Sequence, residues 1–279
     1  MKASVHVLVV GLNRSLSYTA KSINHRLIDP LKRFPLFDLR VHTFLIQPQG
    51  GLIDNPRSGE SGPIETSMDS WDHPTSYLKM DELLYETEAD RAFLSTRPDR
   101  LQDERKSEGN ALLFLRALSS SFEALRPILE NSVVVLCRPD VSIEGSLRIR
   151  LMVATAALAT VLRFPLAFLP EWAKFRGLND RFAVMSGPCV RPYFTRINLL
   201  QELVPEGEPF HSESFLKKAL ERCSTWSVIK TPMVRIRIGG KREKDDESLA
   251  DRLRWRRRVG VWLVRIRRAL RGLAPSSWS

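Results

Sequence analysis

The sequence predicts an α/β fold built on a mainly parallel sheet. Three observations lead there. Val5–Leu12 and Val133–Cys137 are continuous apolar, β-branched runs, the pattern of strands buried on both faces. A helix-periodic segment separates the first of these from a second strand-like run, Phe37–Ile46. Strand, helix and strand thus fit into about forty residues, a βαβ unit with a right-handed crossover. The composition, 43% apolar and 27% charged over 279 residues, supports a large buried core and excludes a wholly disordered chain.

The elements follow in order. Val5–Leu12 carries Gly11 at its end, and Ser15 or Ser17 can cap a helix carrying Ile23, Leu27, Ile28 and Leu31 on one side. Phe37–Ile46 is the second strand. Gln47–Tyr77 holds four Gly, four Pro and five Ser in 31 residues and shows no periodicity, so it reads as a long functional or disordered loop. Leu78–Ala92 reads as an acidic helix, and Asn110–Leu129 as a helix with Leu113, Ala117, Phe122, Leu125 and Leu129 on its apolar side. Val133–Cys137 is a further buried strand. Gly145–Leu162 is an apolar helix, the FPLAFLPEW stretch a short strand and turn, and Tyr193–Leu203 a helix. STWSVIKTPMVRIRIGG supplies late strands. There is no internal repeat.

The charge is uneven. The chain carries +11, from 43 basic and 32 acidic residues, but residues 249–279 alone hold nine Arg against one Asp. The preceding 248 residues carry only +3. The basic tail has a near-helical apolar period, with Trp255 and Trp262 on it. Arg254, Arg256, Arg257, Arg258, Arg265, Arg267 and Arg268, with the two Trp, form a candidate surface for an anionic membrane. Docking on its own domain, a flexible end and nucleic-acid binding are the other readings of this tail. The body has no zinc-finger pattern or recognisable helix-turn-helix, so nucleic acid is not the expected partner. Residues 1–240 form the expected domain and 241–279 the tail.

Several classes are excluded. The longest apolar stretch, Leu151–Leu162, is 12 residues, while a membrane-spanning helix needs about 20. The N-terminal run lacks a small-residue cleavage site and reads as a strand, not a secretion signal. Three dispersed cysteines give neither a zinc ribbon nor a disulfide framework, which makes the reducing cytosol the default compartment, and the five His never fall at metal-ligand spacing. No G-x-G-x-x-G, P-loop or G-x-S-x-G is present.

Four places could carry chemistry. Asp140, delivered with Arg138 and Pro139 beyond the strand Val133–Cys137, could bind a divalent metal or a sugar hydroxyl, or could simply form a turn after Pro. Asp180, in Gly177–Phe182, could be a ligand or a general base, or the residue of an Asx turn or helix cap. Arg14 follows Gly11 at the end of the first strand, where a phosphate could sit. Glu213 precedes an amphipathic helix, and a capping role competes with a role at a sugar site.

VLVVGLNRS, RPD after a buried strand, GLNDRFAV and HSESFL occur in this order. Together they resemble the bacterial glycosyltransferase-like proteins of surface-polysaccharide synthesis, including the group related to WavE lipopolysaccharide-synthesis proteins, over residues 4–238. The resemblance implies a GT-A-like nucleotide-diphosphosugar transferase fold, which the basic amphipathic helix read above would follow. It implies a nucleotide-sugar donor and a glycan or lipid-linked acceptor, and the basic tail would hold the protein at the cytoplasmic side of the inner membrane. Gly11, Arg14 and Arg138 would lie at the nucleotide, and Asn179 and Asp180 at the sugar or acceptor. Asp140, Asp180 and Glu213 would be the catalytic carboxylates, and Asp140 would hold Mn²⁺ or Mg²⁺. One departure stands out. Where such enzymes often carry an acid-x-acid pair, this chain has Arg138-Pro139-Asp140. A guanidinium at Arg138 could take over part of the metal's role on the diphosphate. A non-catalytic α/β module of a polysaccharide assembly complex is the alternative.

Overall fold

The computed structural model describes residues 2–47, 52–55, 60–63, 69–79, 88–99, 102–145, 147–172, 177–230 and 233–243. Met1–Lys244 is one compact unit. The basic tail, including Arg254–Arg258, Trp262, Arg265, Arg267 and Arg268, lies outside the described residues.

The fold is α/β. β1 (Ala3–Leu12) leads into a continuous helical rod of α1 (Leu16–Ile23), a π-helical turn (Asn24–Ile28) and α2 (Asp29–Lys32). Pro30 has no N–H to close the bond back to Arg26, and the turn ahead of it widens. β2 (Phe37–Gln47) returns parallel to β1, in register Val5↔Leu39, which is the βαβ unit the sequence predicts. β3 (Leu52–Asn55) and β4 (Glu60–Pro63) pair antiparallel, and β5 (Thr75–Lys79) adds to the edge of β2. The segment expected as one long loop therefore carries three short strands. The helix expected over Leu78–Ala92 is also corrected: Leu78 and Lys79 finish β5, and α3 spans Glu88–Ser95. Leu78 and Lys79 pair along β2, which local helical spacing could not reveal.

α4 (Lys106–Leu129) crosses back to β6 (Val133–Cys137), and β7 (Val141–Ile143) follows at once. α5 (Ile149–Val161), β8 (Leu166–Pro170), β9 (Phe182–Met185), α6 (Gly187–Phe194), a 3₁₀ turn (Arg196–Leu199), α7 (Leu200–Leu203), α8 (Ser212–Cys223), β10 (Thr225–Ile229) and β11 (Met233–Arg235) complete the unit. The helix expected over Tyr193–Leu203 is thus two helices with a tighter turn between them.

Among the described residues, seven strands form the main sheet in the order β10-β8-β9-β6-β1-β2-β5. All neighbours are parallel except β9, which runs against both β6 and β8. β11 pairs antiparallel with β7 in a separate ribbon. Leu8, Val10, Val134, Leu136, Ala183 and Met185 point to one side of the sheet, where Phe122 of α4, Tyr193 and Phe194 of α6 and Leu216 of α8 close the core. Val5, Val7 and Val9 point the other way and are fully buried, as period-two alternation requires. On this architecture the chain reverses direction across the sheet between β1 and β6. In open α/β sheets ligands bind outside the carboxyl ends of strands at such a point. Among the described residues no helix is long and apolar enough to cross a membrane.

A polar pair of one buried and one half-buried histidine lies on the sheet. His6 Nδ1 is 3.0 Å from His42 Nε2, with the rings stacked, and Ser4 Oγ is 3.1 Å from His6 Nε2. Burial, then the neighbouring His42 and Arg40, hold His6 down to about 4. The unfolded chain takes up this proton near 6.5, so acidification from 6.5 towards 4 favours unfolding. Urea unfolding at pH 7 and pH 4.5 should show wild type losing on the order of 2 kcal/mol more stability than His6→Gln. Equal losses would contradict this.

Candidate functional site

The site forms at the carboxyl edge of β1 and β6. Gly11, the last but one residue of β1, has φ +148°, a conformation that favours glycine, and a Cβ there would meet Pro139 Cδ at 3.0 Å. Gly11 thus lets the turn after β6 close onto the end of β1. That close approach brings Arg14 and Asp140 together across the switch point, with Arg14 Nη2 2.7 Å from Asp140 Oδ2. Thr19 Oγ1 donates to the Pro139 carbonyl at 2.6 Å and pins the turn from the helix side.

Asp140 is the hub. Arg138 clamps it in a two-point contact, Nε to Oδ1 at 3.0 Å and Nη2 to Oδ2 at 2.9 Å. Arg235 of β11 adds Nε to Oδ2 at 3.1 Å. Three guanidiniums from three separate parts of the chain therefore meet one carboxylate whose side chain is only 2% exposed. Burial alone would raise the Asp140 pKa. The charges of Arg138, Arg14 and Arg235 outweigh it and hold the carboxyl well below the usual range. Burial lowers Arg138 in turn, but Asp140 and Asp180 more than compensate and raise it. Arg235 ends lower, at about 9, because burial and the other arginines outweigh Asp140.

β11 is held in place by its backbone. It pairs Arg235 with Val141, Ile236 N–H donates to the Asp140 carbonyl at 2.8 Å, and Ser15 Oγ donates to the Ile236 carbonyl at 2.8 Å. Glu243 then receives Arg237 at 2.5 Å and stands 3.4 Å from Arg235 Nη1.

A second acidic pair sits beside this hub. Gly177 lies so close to the start of α8 that a Cβ would be 2.0 Å from the Glu213 carbonyl carbon. Leu178 N–H donates to the Glu213 carbonyl at 2.9 Å, and Arg138 N–H to the Arg181 carbonyl at 2.9 Å, so the loop bridges α8 and β6. Ser212 Oγ donates to Asp180, and Arg181 Nη1 lies 3.3 Å from Glu213 Oε1. Arg181 also stacks over Trp172, at 5.5 Å. Burial raises the Asp180 pKa, but Arg181, Arg138, the Ser212 bond and the buried Arg196 together lower it. Glu213 goes the other way, pushed up to about 7 by burial and by the Asp180 charge. Two neighbouring carboxylates thus differ in proton affinity, the arrangement that separates acid and base roles.

The residues singled out from sequence are therefore brought to one edge. Arg14, Arg138 and Asp140 share one network, and Asp180 and Glu213 share the next. Asn179, expected at the sugar or acceptor, is engaged within its own loop. Its Nδ2 donates to the Trp172 carbonyl at 2.7 Å and its Oδ1 accepts from Arg181 N–H at 2.8 Å, so it closes the loop. Gly11 also has a packing reason, the approach of Pro139. The Asp140 surroundings do not fit a divalent cation: both carboxylate oxygens already accept from guanidiniums, and no group of three His, Cys, Asp or Glu able to hold a metal occurs among the described residues. Cys137, beside the hub, is no nucleophile, since burial and the Asp140 charge push its thiol up.

Sequence reasoning missed Arg235, Arg181 and Ser212. Arg235 and Arg237 alternate with apolar residues in MVRIRI, a strand signal that placed two arginines on one face without saying where that face lies. Arg181 and Ser212 adjoin Asp180 and Glu213, and nothing in their spacing marks them.

No family model matches this chain, and no curated protein matches it in sequence. Among solved structures it is similar to mouse xyloside xylosyltransferase 1 in the apo form, with TM-score 0.43 and 8% identity over 81% of this chain and 85% of that one.

Two substitutions test this construction. Asp140→Asn leaves buried guanidiniums without their counter-charge and should cost about 3–5 kcal/mol, read as a lower unfolding midpoint that sulfate raises more than in wild type. Gly177→Ala should cost about 2 kcal/mol or more by thermal unfolding, because the contact is with backbone that cannot swing aside. Wild-type midpoints for either would contradict the packing described.

Proposed function

We propose that the protein transfers a sugar from a nucleotide-sugar donor to a hydroxyl of a glycan or lipid-linked acceptor. The observation that carries this reading is the arginine cluster on Asp140 at the switch point between β1 and β6, where an α/β sheet receives a ligand and where an anionic diphosphate finds matching charge. The strand order supports it. Numbered within the main sheet, the strands run 3-2-1-4-6-5-7 with the sixth antiparallel, in keeping with the mainly parallel sheet that the GT-A-like resemblance implies.

In this reaction the bond between the anomeric carbon and the diphosphate oxygen breaks, and its electron pair leaves on the diphosphate. The acceptor oxygen bonds the anomeric carbon and gives up its proton. Arg138 faces the leaving group, with Arg14 behind it, and Asp140 positions both guanidiniums without touching the donor. Glu213 takes the proton, because a carboxyl poised near 7 is matched to that transfer at neutral pH. Asp180 stays ionised, keeps Glu213 raised and orients the acceptor. The Arg-rich stretch with Trp255 and Trp262 would hold the enzyme at an anionic membrane surface, in keeping with a lipid-linked acceptor of surface-polysaccharide synthesis at the inner face.

Wild type incubated with a panel of nucleotide sugars and acceptors should release nucleoside diphosphate from one donor class. Glu213→Gln and Asp180→Asn should each lower kcat by about 100-fold. A base must be deprotonated to act, so kcat/KM should fall as pH drops below about 7, and that limb should vanish in Glu213→Gln. Full turnover in both variants would remove these two residues from the mechanism. Pelleting with anionic liposomes should require residues 249–279, and equal pelleting without them would remove the membrane role.

A further inference from the structure

The charge at the hub is out of balance. Asp140 accepts from three arginines, while Glu243, the other carboxylate on β11's side, is engaged first by Arg237. The donors are also incompletely used. Arg138 gives Nε and Nη2 to Asp140, and Arg235 gives Nε to Asp140 and turns Nη1 towards Glu243. Among the described residues no hydrogen bond takes up Nη1 of Arg138 or Nη2 of Arg235. These two side chains are 16% and 18% exposed, against 2% for Asp140 and 5% for Arg14. The network thus turns two guanidinium edges outward over a sequestered carboxylate, at the switch point of the sheet.

We propose that Arg235, carried by β11, joins Arg138 in binding the donor's diphosphate directly, and that this pair does the work a divalent cation would do, so that binding requires no metal. This rests on the nucleotide-sugar reading for the identity of the ligand.

Three features bear on it. A cation bound to Asp140 would have to displace guanidiniums from both oxygens and then sit among the positive charges it displaced. Planar guanidiniums present paired donors that match phosphate oxygens, so the outward edges suit a diphosphate. And Arg235 is pre-positioned, since the β7–β11 pairing, the Ile236 bond to Asp140 and the Ser15 bond to Ile236 fix its backbone, while Arg138 is steadied over Phe114 at 5.0 Å. Burial among like charges disfavours the Arg235 cation, and an arriving anion relieves that. Arg235 is then a donor-binding residue, and Asp140 the residue that positions it.

The test is calorimetric titration of the full chain with UDP, GDP, CDP, ADP and dTDP, first in EDTA and then in Mn²⁺ or Mg²⁺ at constant ionic strength. One diphosphate should bind in EDTA, inorganic pyrophosphate should compete with it, and adding either cation should change Kd by less than about threefold. Arg235→Lys, which keeps the charge and loses the fork, should weaken binding about tenfold, and Arg235→Gln about a hundredfold, with the same nucleotide preference. Should Arg235→Gln fail to fold, Arg235→Lys and the wild-type EDTA titration decide the matter. Binding that appears only with Mn²⁺ or Mg²⁺, or wild-type affinity in a folded Arg235 variant, overturns the proposal and leaves the nucleotide-sugar reading standing. No binding of any diphosphate in either medium overturns both.

Discussion

The Asp140 carboxylate is the point on which the candidate site of this molecule depends. Arg14 comes from the turn after β1, Arg138 from the end of β6 and Arg235 from β11, and one buried anion holds all three. Without it, three cations would lie close together in a poorly solvated place, each repelling the others. With it, the ends of two central strands and the last ribbon of the compact unit are locked in one arrangement. The same carboxylate reaches the second acidic pair, because Arg138 lies between Asp140 and Asp180 and lends charge to both.

Such a construction is a poor way to stabilise a fold. Buried ion networks rarely gain more than a well-packed apolar cluster of similar volume would. The rest of the unit shows that apolar packing was available here: Val5, Val7, Leu8, Val9, Val10 and Val133–Cys137 are buried to within a few per cent, right up to the residues of the hub. The change from apolar strand to crowded charge occurs at the carboxyl ends of β1 and β6 and again just before β9. This local departure from good packing rules is concentrated at the switch point of the sheet, where the proposed donor site lies. The two carboxylates beside it, with Asp180 lowered and Glu213 raised, fit the same pattern.

Much of this was legible in the sequence, for reasons that differ by residue. Runs such as Val5–Leu12 and Val133–Cys137 admit few conformations, and a βαβ order leaves one handedness, so the parallel centre of the sheet could be derived. Arg14, Arg138 and Asp140 could be nominated because they immediately follow those strands. β5 falls across the expected loop and the start of the expected helix, because Thr75–Lys79 are committed by pairing with β2, a contact more than thirty residues away along the chain. Asn179 looked like a pocket residue, yet both ends of its amide are used to fold its own loop. Arg235 was out of reach for a deeper reason. Period-two alternation assigns it to a face of a strand, but only the tertiary pairing of β11 with β7 brings it to Asp140, 95 positions earlier.

The most direct test of the central claim is a crystal structure of the protein with the nucleoside diphosphate it binds, grown with Mn²⁺ present and collected at the manganese edge. The account predicts diphosphate oxygens within hydrogen-bond distance of Arg138 and Arg235, Asp140 still bonded to its three arginines, and no anomalous peak at its carboxylate. A manganese ion on Asp140 with the arginines turned away, or the diphosphate lodged elsewhere on the sheet, would contradict it.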